Sequence, residues 1–150
     1  MNESGCLLDS NVWIALTFDS HPGHELASQA MQVMSESSPA LFCRATQQSF
    51  LRLVSTPALT VHYGAQEFTN DDALELLERF MASPIVGYRD EPAGLFELWK
   101  RLAARPTAAP RTWMDAYLAA FAIAGDMQLI TLDQGFSAFE KAGLRLSALS

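Results

Sequence analysis

Short apolar runs that alternate with longer helical patterns constrain the fold of this chain more than any other feature. Each run is short enough for a strand that is buried on both faces, and helical spacing of apolar residues separates one run from the next. Strands separated by helices predict an α/β fold, a central parallel sheet with helices on both faces. We expect four to five strands, from the runs at 6–8, 40–43, 85–88, 128–132 and 144–146.

Helix ends are marked by a few specific residues. Thr69 and Asp72 form a Thr-x-x-Asp capping box that predicts a helix start. Gly125 predicts the end of a helix that begins at Thr112. Residues 57–68 are predicted to form a loop.

Composition limits the size and the function of the domain. The length of 150 residues suits one domain, so 1–150 is predicted to be a single unit. Ten Lys and Arg against seventeen Asp and Glu give a net charge of −7, which argues against a protein that coats nucleic acid through bulk positive charge. An enzyme that holds RNA at a few points through a metal ion remains compatible. With two cysteines, no signal pattern and no membrane-length apolar run, we expect a cytoplasmic protein.

Three aspartates are the candidate catalytic and metal-binding residues. Ligands of an open parallel sheet bind beyond the carboxyl ends of its strands. Asp9 ends the first predicted strand, Asp133 ends the fourth, and Asp115 lies in the first turn of the helix opened by Thr112. Carboxylates that converge raise one another's pKa, and Mg²⁺ or Mn²⁺, which prefer oxygen ligands, relieve that repulsion. A metal ion held in this way can activate water and stabilise charge on a phosphodiester.

Each aspartate also has a simpler interpretation as a residue that caps a helix. Asp9 and Asp133 precede predicted helices, and Thr112 with Asp115 matches a capping box. Convergence of all three acids at strand ends or helix starts of one chain favours the functional interpretation.

Aromatic and basic residues surround Asp115 in the sequence. Trp113 and Tyr117 are four positions apart on the predicted helix, and we expect them in the core rather than on a base-stacking surface. Four of the ten basic residues fall within twelve positions, where solvated charges are the favoured interpretation and contact with an RNA backbone is the alternative. They are Lys100, Arg101, Arg105 and Arg111.

Four segments resemble PIN-domain ribonucleases, and within that family they are most similar to VapC-type toxins of bacterial toxin–antitoxin pairs. The most specific parts are LLDSNV at 7–12 and DAYLAA at 115–120, and the resemblance covers essentially the whole chain. The four segments are 7–14, 46–52, 112–118 and 131–136.

The resemblance implies a Mg²⁺-dependent endoribonuclease, with Mn²⁺ as an alternative ion, that hydrolyses RNA with water as the nucleophile. It also implies a VapB-type antitoxin as partner and a homodimer. Asp9 and Asp115 resemble the family's main metal ligands, and Asp133 its third acid. Asn11 and Thr131 resemble residues that orient these carboxylates through hydrogen bonds.

Gln47 is the position where the sequence departs from the family pattern, which commonly has Glu there. Gln keeps the shape and an oxygen but loses the charge. It therefore predicts either a weaker second metal site or a residue that orients the ligands or the substrate through hydrogen bonds. A catalytically weakened PIN-like module that binds protein or RNA is the alternative function. A phosphatase is disfavoured, because Asn11 stands where its second Asp would be.

Overall fold

A five-stranded parallel sheet forms the centre of the computed structural model, which describes residues 5–64 and 66–150. The strands are β1 (Cys6–Leu8), β2 (Ala40–Phe42), β3 (Val86–Tyr88), β4 (Gln128–Thr131) and β5 (Leu146–Ala148). The helices are α1 (Ser10–Thr17), α2 (His24–Met31), α3 (Arg44–Val54), α4 (Pro57–His62), α5 (Asn70–Met81), α6 (Leu95–Ala103) and α7 (Thr112–Ala124), followed by a 3₁₀ helix (Gln134–Ala142). The predicted α/β sheet is confirmed.

The strand order is β3-β2-β1-β4-β5, and every neighbouring pair is parallel. The first strand therefore lies at the centre of the sheet, between β2 and β4. Because all five strands point the same way, the residues that follow them lie along one edge, which we call the carboxyl edge.

Two hydrophobic clusters cover the two faces of the sheet. Side chains alternate along β1, so that Leu8 contributes to one cluster and Leu7 to the other. On the first face, the Trp13 ring of α1 stacks on Phe42 with the ring centroids 3.9 Å apart. On the second face, α7 contributes small, fully buried side chains, which allow the close approach to the sheet that fixes the first turn of this helix. These are Ala116, Ala119, Ala120 and Ala122.

Two predicted helix features are confirmed, and one predicted loop is partly wrong. Both bounds of the helix from Thr112 to Ala124 are confirmed, and so is the capping box, in which the backbone N–H of Asp72 donates to Thr69 Oγ1 at 3.1 Å. The loop predicted at 57–68 is wrong in its first half, because Pro57 begins a short helix there.

The fifth strand begins at Leu146 rather than at Leu144, the predicted start. Leu144 is buried, and its N–H bonds to the carbonyl of Phe139, so this residue completes the end of the 3₁₀ helix. Gly143 makes that turn possible with a φ of 105°. None of the helices within 5–64 and 66–150 is long and apolar enough to cross a membrane.

Candidate active site

Asp9 follows β1 at the carboxyl edge, and a hydroxyl from β4 holds its carboxylate. Thr131 Oγ1 donates to Asp9 Oδ2 at 2.9 Å, and Ser10 Oγ lies 3.5 Å from Asp9 Oδ1. Asp9 occupies the N-cap position of α1, but its side chain makes no capping hydrogen bond to that helix. The carboxylate is therefore held by Thr131 of β4 and by Ser10, the first residue of α1, and it does not cap the helix.

The Thr131 hydroxyl makes three hydrogen bonds, one as donor and two as acceptor. It accepts from Asn11 Nδ2 at 3.3 Å and from the backbone N–H of Asp133 at 3.0 Å. Since a hydroxyl has one proton and two acceptor sites, these two bonds direct its proton to Asp9. Asn11 is fixed in turn, because its Oδ1 accepts from the N–H of Leu132 at 3.1 Å. Asn11 and Thr131 thus orient Asp9.

Asp115 lies in the first turn of α7 and does not cap it. The N-cap residue is Arg111, with no side-chain capping bond, and Thr112 is already helical. The capping-box interpretation of Thr112 and Asp115 is therefore wrong. Burial raises the pKa of Asp115, and the charges of Asp133 and Asp9 raise it further.

Asp133 caps a helix, as its simpler interpretation predicts, but it also acts on the other two acids. It is exposed, and its Oδ1 accepts from the N–H of Gly135 at 2.9 Å, which caps the 3₁₀ helix. Its charge nevertheless acts on both other acids, because it raises the pKa of Asp115 and contributes to the raised pKa of Asp9.

Burial is the main cause of the raised pKa of Asp9. The hydrogen bonds from Thr131 and Ser10 favour the ionised form and partly oppose this effect. The three aspartates therefore share one electrostatic environment. None of them forms an ion pair with a Lys, Arg or His side chain in the described part of the chain.

The donor set fits a magnesium ion held partly by other ligands. Within residues 5–64 and 66–150, no three His, Cys, Asp or Glu side chains are grouped so that they could hold a metal ion by themselves. Mg²⁺, however, is usually bound by one or two carboxylates together with water and substrate phosphates. Asp9 and Asp115 supply two such carboxylates without a compensating cation.

Gln47 bonds to other groups than the three aspartates in the described ranges. It is buried in the first turn of α3, where Arg44 Nη1 donates to its Oε1 at 2.6 Å. Its Nε2 donates to Met81 Sδ at 4.0 Å. These bonds direct the amide towards α5 and the start of α3. No role was predicted for Arg44 from the sequence. Its position directly after the second apolar run is nevertheless the same signal that predicted a functional role for Asp9.

The aromatic residues of α7 do not both lie in the core. Trp113 is 57% exposed, so the core prediction is wrong for this residue. Trp99 of α6 is half-buried, and its Nε1 donates to the carbonyl of Trp113 at 2.9 Å. Tyr117 is half-buried, and its hydroxyl donates to Glu91 Oε2 at 2.7 Å.

The fold and the acids at its carboxyl edge define the class of α/β domains called PIN domains. The PIN domain family model matches residues 6–142, so the chain belongs to the PIN domain family. It is similar over nearly its whole length to ribonuclease VapC41 of Mycobacterium tuberculosis strains CDC 1551 and H37Rv. The two chains are 38% identical over 143 residues, which cover 95% of this chain and 98% of that protein.

Solved structures share the fold at low sequence identity. VapBC2 from Rickettsia felis, bound to a DNA fragment from their promoter, has a TM-score of 0.66 and 13% identity, and the match covers 97% of this chain and 98% of that chain. VapC20 from Mycobacterium tuberculosis, a sarcin-ricin loop cleaving toxin, has a TM-score of 0.63 and 16% identity, covering 93% of this chain and 96% of that chain. At these identities, the likeness shows the fold alone.

Proposed function

We propose that this chain is a Mg²⁺-dependent endoribonuclease, the toxin component of a type II toxin–antitoxin pair. The observation that carries the proposal is the pair of Asp9 and Asp115 at the carboxyl edge of a PIN domain. Their raised pKa values and their lack of a cationic partner suit a site that is completed by a divalent ion. Similarity to a ribonuclease over 95% of the chain supports RNA as the substrate.

Asp9 and Asp115 would hold the ion, with Asp133 as the third acid. Bound there, Mg²⁺ or Mn²⁺ supplies a Lewis acid for the activation of water and the stabilisation of charge on a phosphodiester. Thr131 would keep the Asp9 carboxylate oriented for the ion through its hydrogen bond to Oδ2. Hydrolysis in this family gives a 5′-phosphate and a 3′-hydroxyl, and we propose the same products here.

A VapB-type antitoxin is the partner that we propose, together with homodimerisation and a cytoplasmic location. Structural neighbours include VapBC complexes, which supports the antitoxin. An exposed apolar groove supports association with protein surfaces, since exposed apolar patches mark interaction sites. The groove is lined by Ala45, Trp99, Trp113, Met114 and Tyr117.

A catalytically weakened module that binds RNA or protein is the second candidate. One observation favours it, namely that Gln47 presents an amide where the family commonly has a carboxylate. The two candidates differ in whether RNA is cut, so the decisive measurement is cleavage.

Cleavage of a labelled single-stranded RNA by the purified chain tests the proposal. We expect cleavage in Mg²⁺, none in EDTA, and at least about a hundredfold loss in Asp9→Asn, because a lost metal ligand removes several kcal/mol of charge stabilisation. Asp71→Asn is the matched control, since Asp71 is an exposed first-turn carboxylate on α5. Near-normal cleavage by folded Asp9→Asn would contradict the assignment, and RNA binding without cleavage by the wild type would favour the second candidate.

A further inference from the structure

Arg44 is held in place by two uncharged groups. Its Nη1 donates to Gln47 Oε1 at 2.6 Å, and its guanidinium carbon lies 5.0 Å from the centre of the Tyr88 ring. Arg44 is exposed, and it takes part in none of the ion pairs within 4.0 Å in the described ranges. Asp90 interacts with Tyr88 but is not within that distance of Arg44. The guanidinium is thus oriented without a direct ion pair in the described part of the chain.

Gln47 explains why the Arg44 guanidinium is oriented but is not part of an ion pair. Its side chain is buried, so its amide oxygen is a fixed acceptor for Arg44. A carboxylate at the same place would form an ion pair with Arg44 and cancel the charge. The amide orients the guanidinium without neutralising it, and the ring of Tyr88 adds a cation–π contact that also leaves the charge in place. A side chain ordered in advance loses less entropy when it binds a ligand.

The sheet register places Arg44 relative to the aspartates. Cys6 pairs with Ala40 and Leu7 with Leu41. The same register, continued to the strand ends, sets Asp9 beside the residue that precedes Arg44. Neighbouring strands lie about 5 Å apart, and the guanidinium extends further, over Tyr88 at the end of β3. Arg44 is therefore on the same edge as Asp9, and its guanidinium is directed towards the end of β3.

We propose that Arg44 binds a backbone phosphate of the RNA strand next to the one that is cleaved, and that Gln47 is the positioning residue for Arg44. The inference rests on the proposed function, because it takes RNA as the substrate. A guanidinium matches phosphate geometry with a planar pair of N–H donors. In a chain of net charge −7, bulk charge repels RNA, so a fixed cation on the carboxyl edge carries much of the local attraction.

The direct test measures RNA binding in an Asp9→Asn background, which prevents cleavage. A fluorescent single-stranded RNA of mixed sequence is titrated at several KCl concentrations. Arg44→Gln should weaken binding about tenfold and reduce the slope of log K against log salt by about 0.7, the change for one lost phosphate contact with a single strand. Arg52→Gln is the matched control, because Arg52 is exposed at the other end of α3 and carries the same charge.

A second pair of variants distinguishes the positioning role of Gln47 from the general effect of an added negative charge. Gln47→Glu and Gln48→Glu add the same charge at adjacent positions, but only Gln47 contacts Arg44. Gln48 is exposed. We expect Gln47→Glu to reproduce the loss seen in Arg44→Gln, and Gln48→Glu to change the affinity less and to leave the slope unchanged. In the cleavage-competent chain, Arg44→Gln and Gln47→Glu should raise KM and keep kcat within about twofold.

The outcomes distinguish this inference from the proposed function. If the wild type cleaves RNA and Arg44→Gln has an unchanged KM and salt slope, only this inference fails. If Gln47→Glu tightens Mg²⁺ binding in thermal titrations and leaves RNA affinity unchanged, Gln47 acts on the metal ion and the positioning role is overturned. If the wild type neither binds nor cleaves RNA, the proposed function fails and the inference fails with it.

Discussion

The carboxyl edge of the sheet has two halves that differ in their charged groups. The acidic half, at the ends of β1 and β4, gathers three aspartates, and its neutral partners are groups such as the hydroxyl of Thr131. The other half, at the ends of β2 and β3, carries both acids and arginines. We call it the cationic half because it presents Arg44, which neutral groups hold. Both halves use residues at strand ends or in first turns of helices. The fold thus determines where a charged side chain lies. Neutral hydrogen-bonding partners orient that side chain without neutralising its charge.

Two carboxyl groups of the acidic half have raised pKa values and no cationic partner in the described ranges. Asp9 and Asp115 have raised pKa values because burial and neighbouring charges disfavour their ionised forms. Elsewhere, the carboxylate of Glu75 is paired with a cation, because Arg79 Nη2 lies 2.8 Å from its Oε1. Unpaired charge at the edge is therefore available for a ligand of opposite sign.

The largest effect should come from removing a carboxylate of the acidic half. Asp115→Asn should lower the rate of RNA cleavage in Mg²⁺ at least about a hundredfold, since it takes away a charged ligand. Glu91→Gln removes an acid near the cationic half, where Tyr117 holds it, and should change the rate less than about threefold. Equal losses in the two variants would show that the halves do not differ in chemistry.

Thr131→Val should give the next largest effect. The change keeps the side-chain shape but leaves Asp9 without its donor and two N–H groups without their acceptor. Loss of a group that orients a ligand typically costs about 10–100-fold in metal affinity or activity. Thr60→Val is the control, because Thr60 is equally buried but bonds to the carbonyl of Pro57, away from both halves. An activity loss of the same size in Thr60→Val would point to general destabilisation.

Magnesium should stabilise the folded chain only while the acidic half is intact. At a concentration of 100 Kd, a ligand that binds the native state alone adds about 2.7 kcal/mol. For a chain of this size, that corresponds to a rise in Tm of about 5–11 °C. The shift should be much smaller in Asp9→Asn and normal in Arg44→Gln. Thermal melts with and without Mg²⁺ measure it, and an equal shift in Asp9→Asn would exclude Asp9 from the site.

The smallest predicted effect is on metal-free stability as a function of pH. A carboxyl whose folded pKa is raised binds its proton more tightly in the folded chain than in the unfolded chain. Ionisation of such a group therefore destabilises the folded chain. This loss of stability is absent below the unfolded pKa, about 3.9, and complete above the folded pKa. The free energy of unfolding consequently falls as pH rises between these two values. In EDTA at pH 7, Asp9→Asn should therefore melt a few degrees above the wild type, a gain that fades towards pH 4. A lower Tm for this variant at pH 7 would contradict the raised pKa of Asp9.

Local patterns explain which features could be predicted from the sequence. A short apolar run and the polar residue that ends it give both a strand and the place of Asp9, and a capping box gives the start of α5. The helix at Pro57–His62 was missed because six residues are too few to show a helical period.

Features that depend on distant partners could not be predicted. The exposure of Trp113 depends on how α7 packs against α6, where its ring packs edge to face with that of Trp99, and the spacing of residues within α7 does not show this. The bonds of Gln47 depend on the Arg44 rotamer and on Met81 from another helix. The roles of the three aspartates as metal ligands stay a prediction.

The bond between Asp9 and Thr131 joins residues that are 122 positions apart, and it sets a time order during synthesis. Asp9 leaves the ribosome early, while β4, the strand that carries its hydroxyl partner, is made last but one. At about 5–20 residues per second, the interval between the two residues lasts about 6–24 s. Throughout that interval, β1 lacks one of its two neighbours in the sheet and the acidic half cannot assemble. The nascent chain thus cannot complete the acidic half before residue 133 has been added.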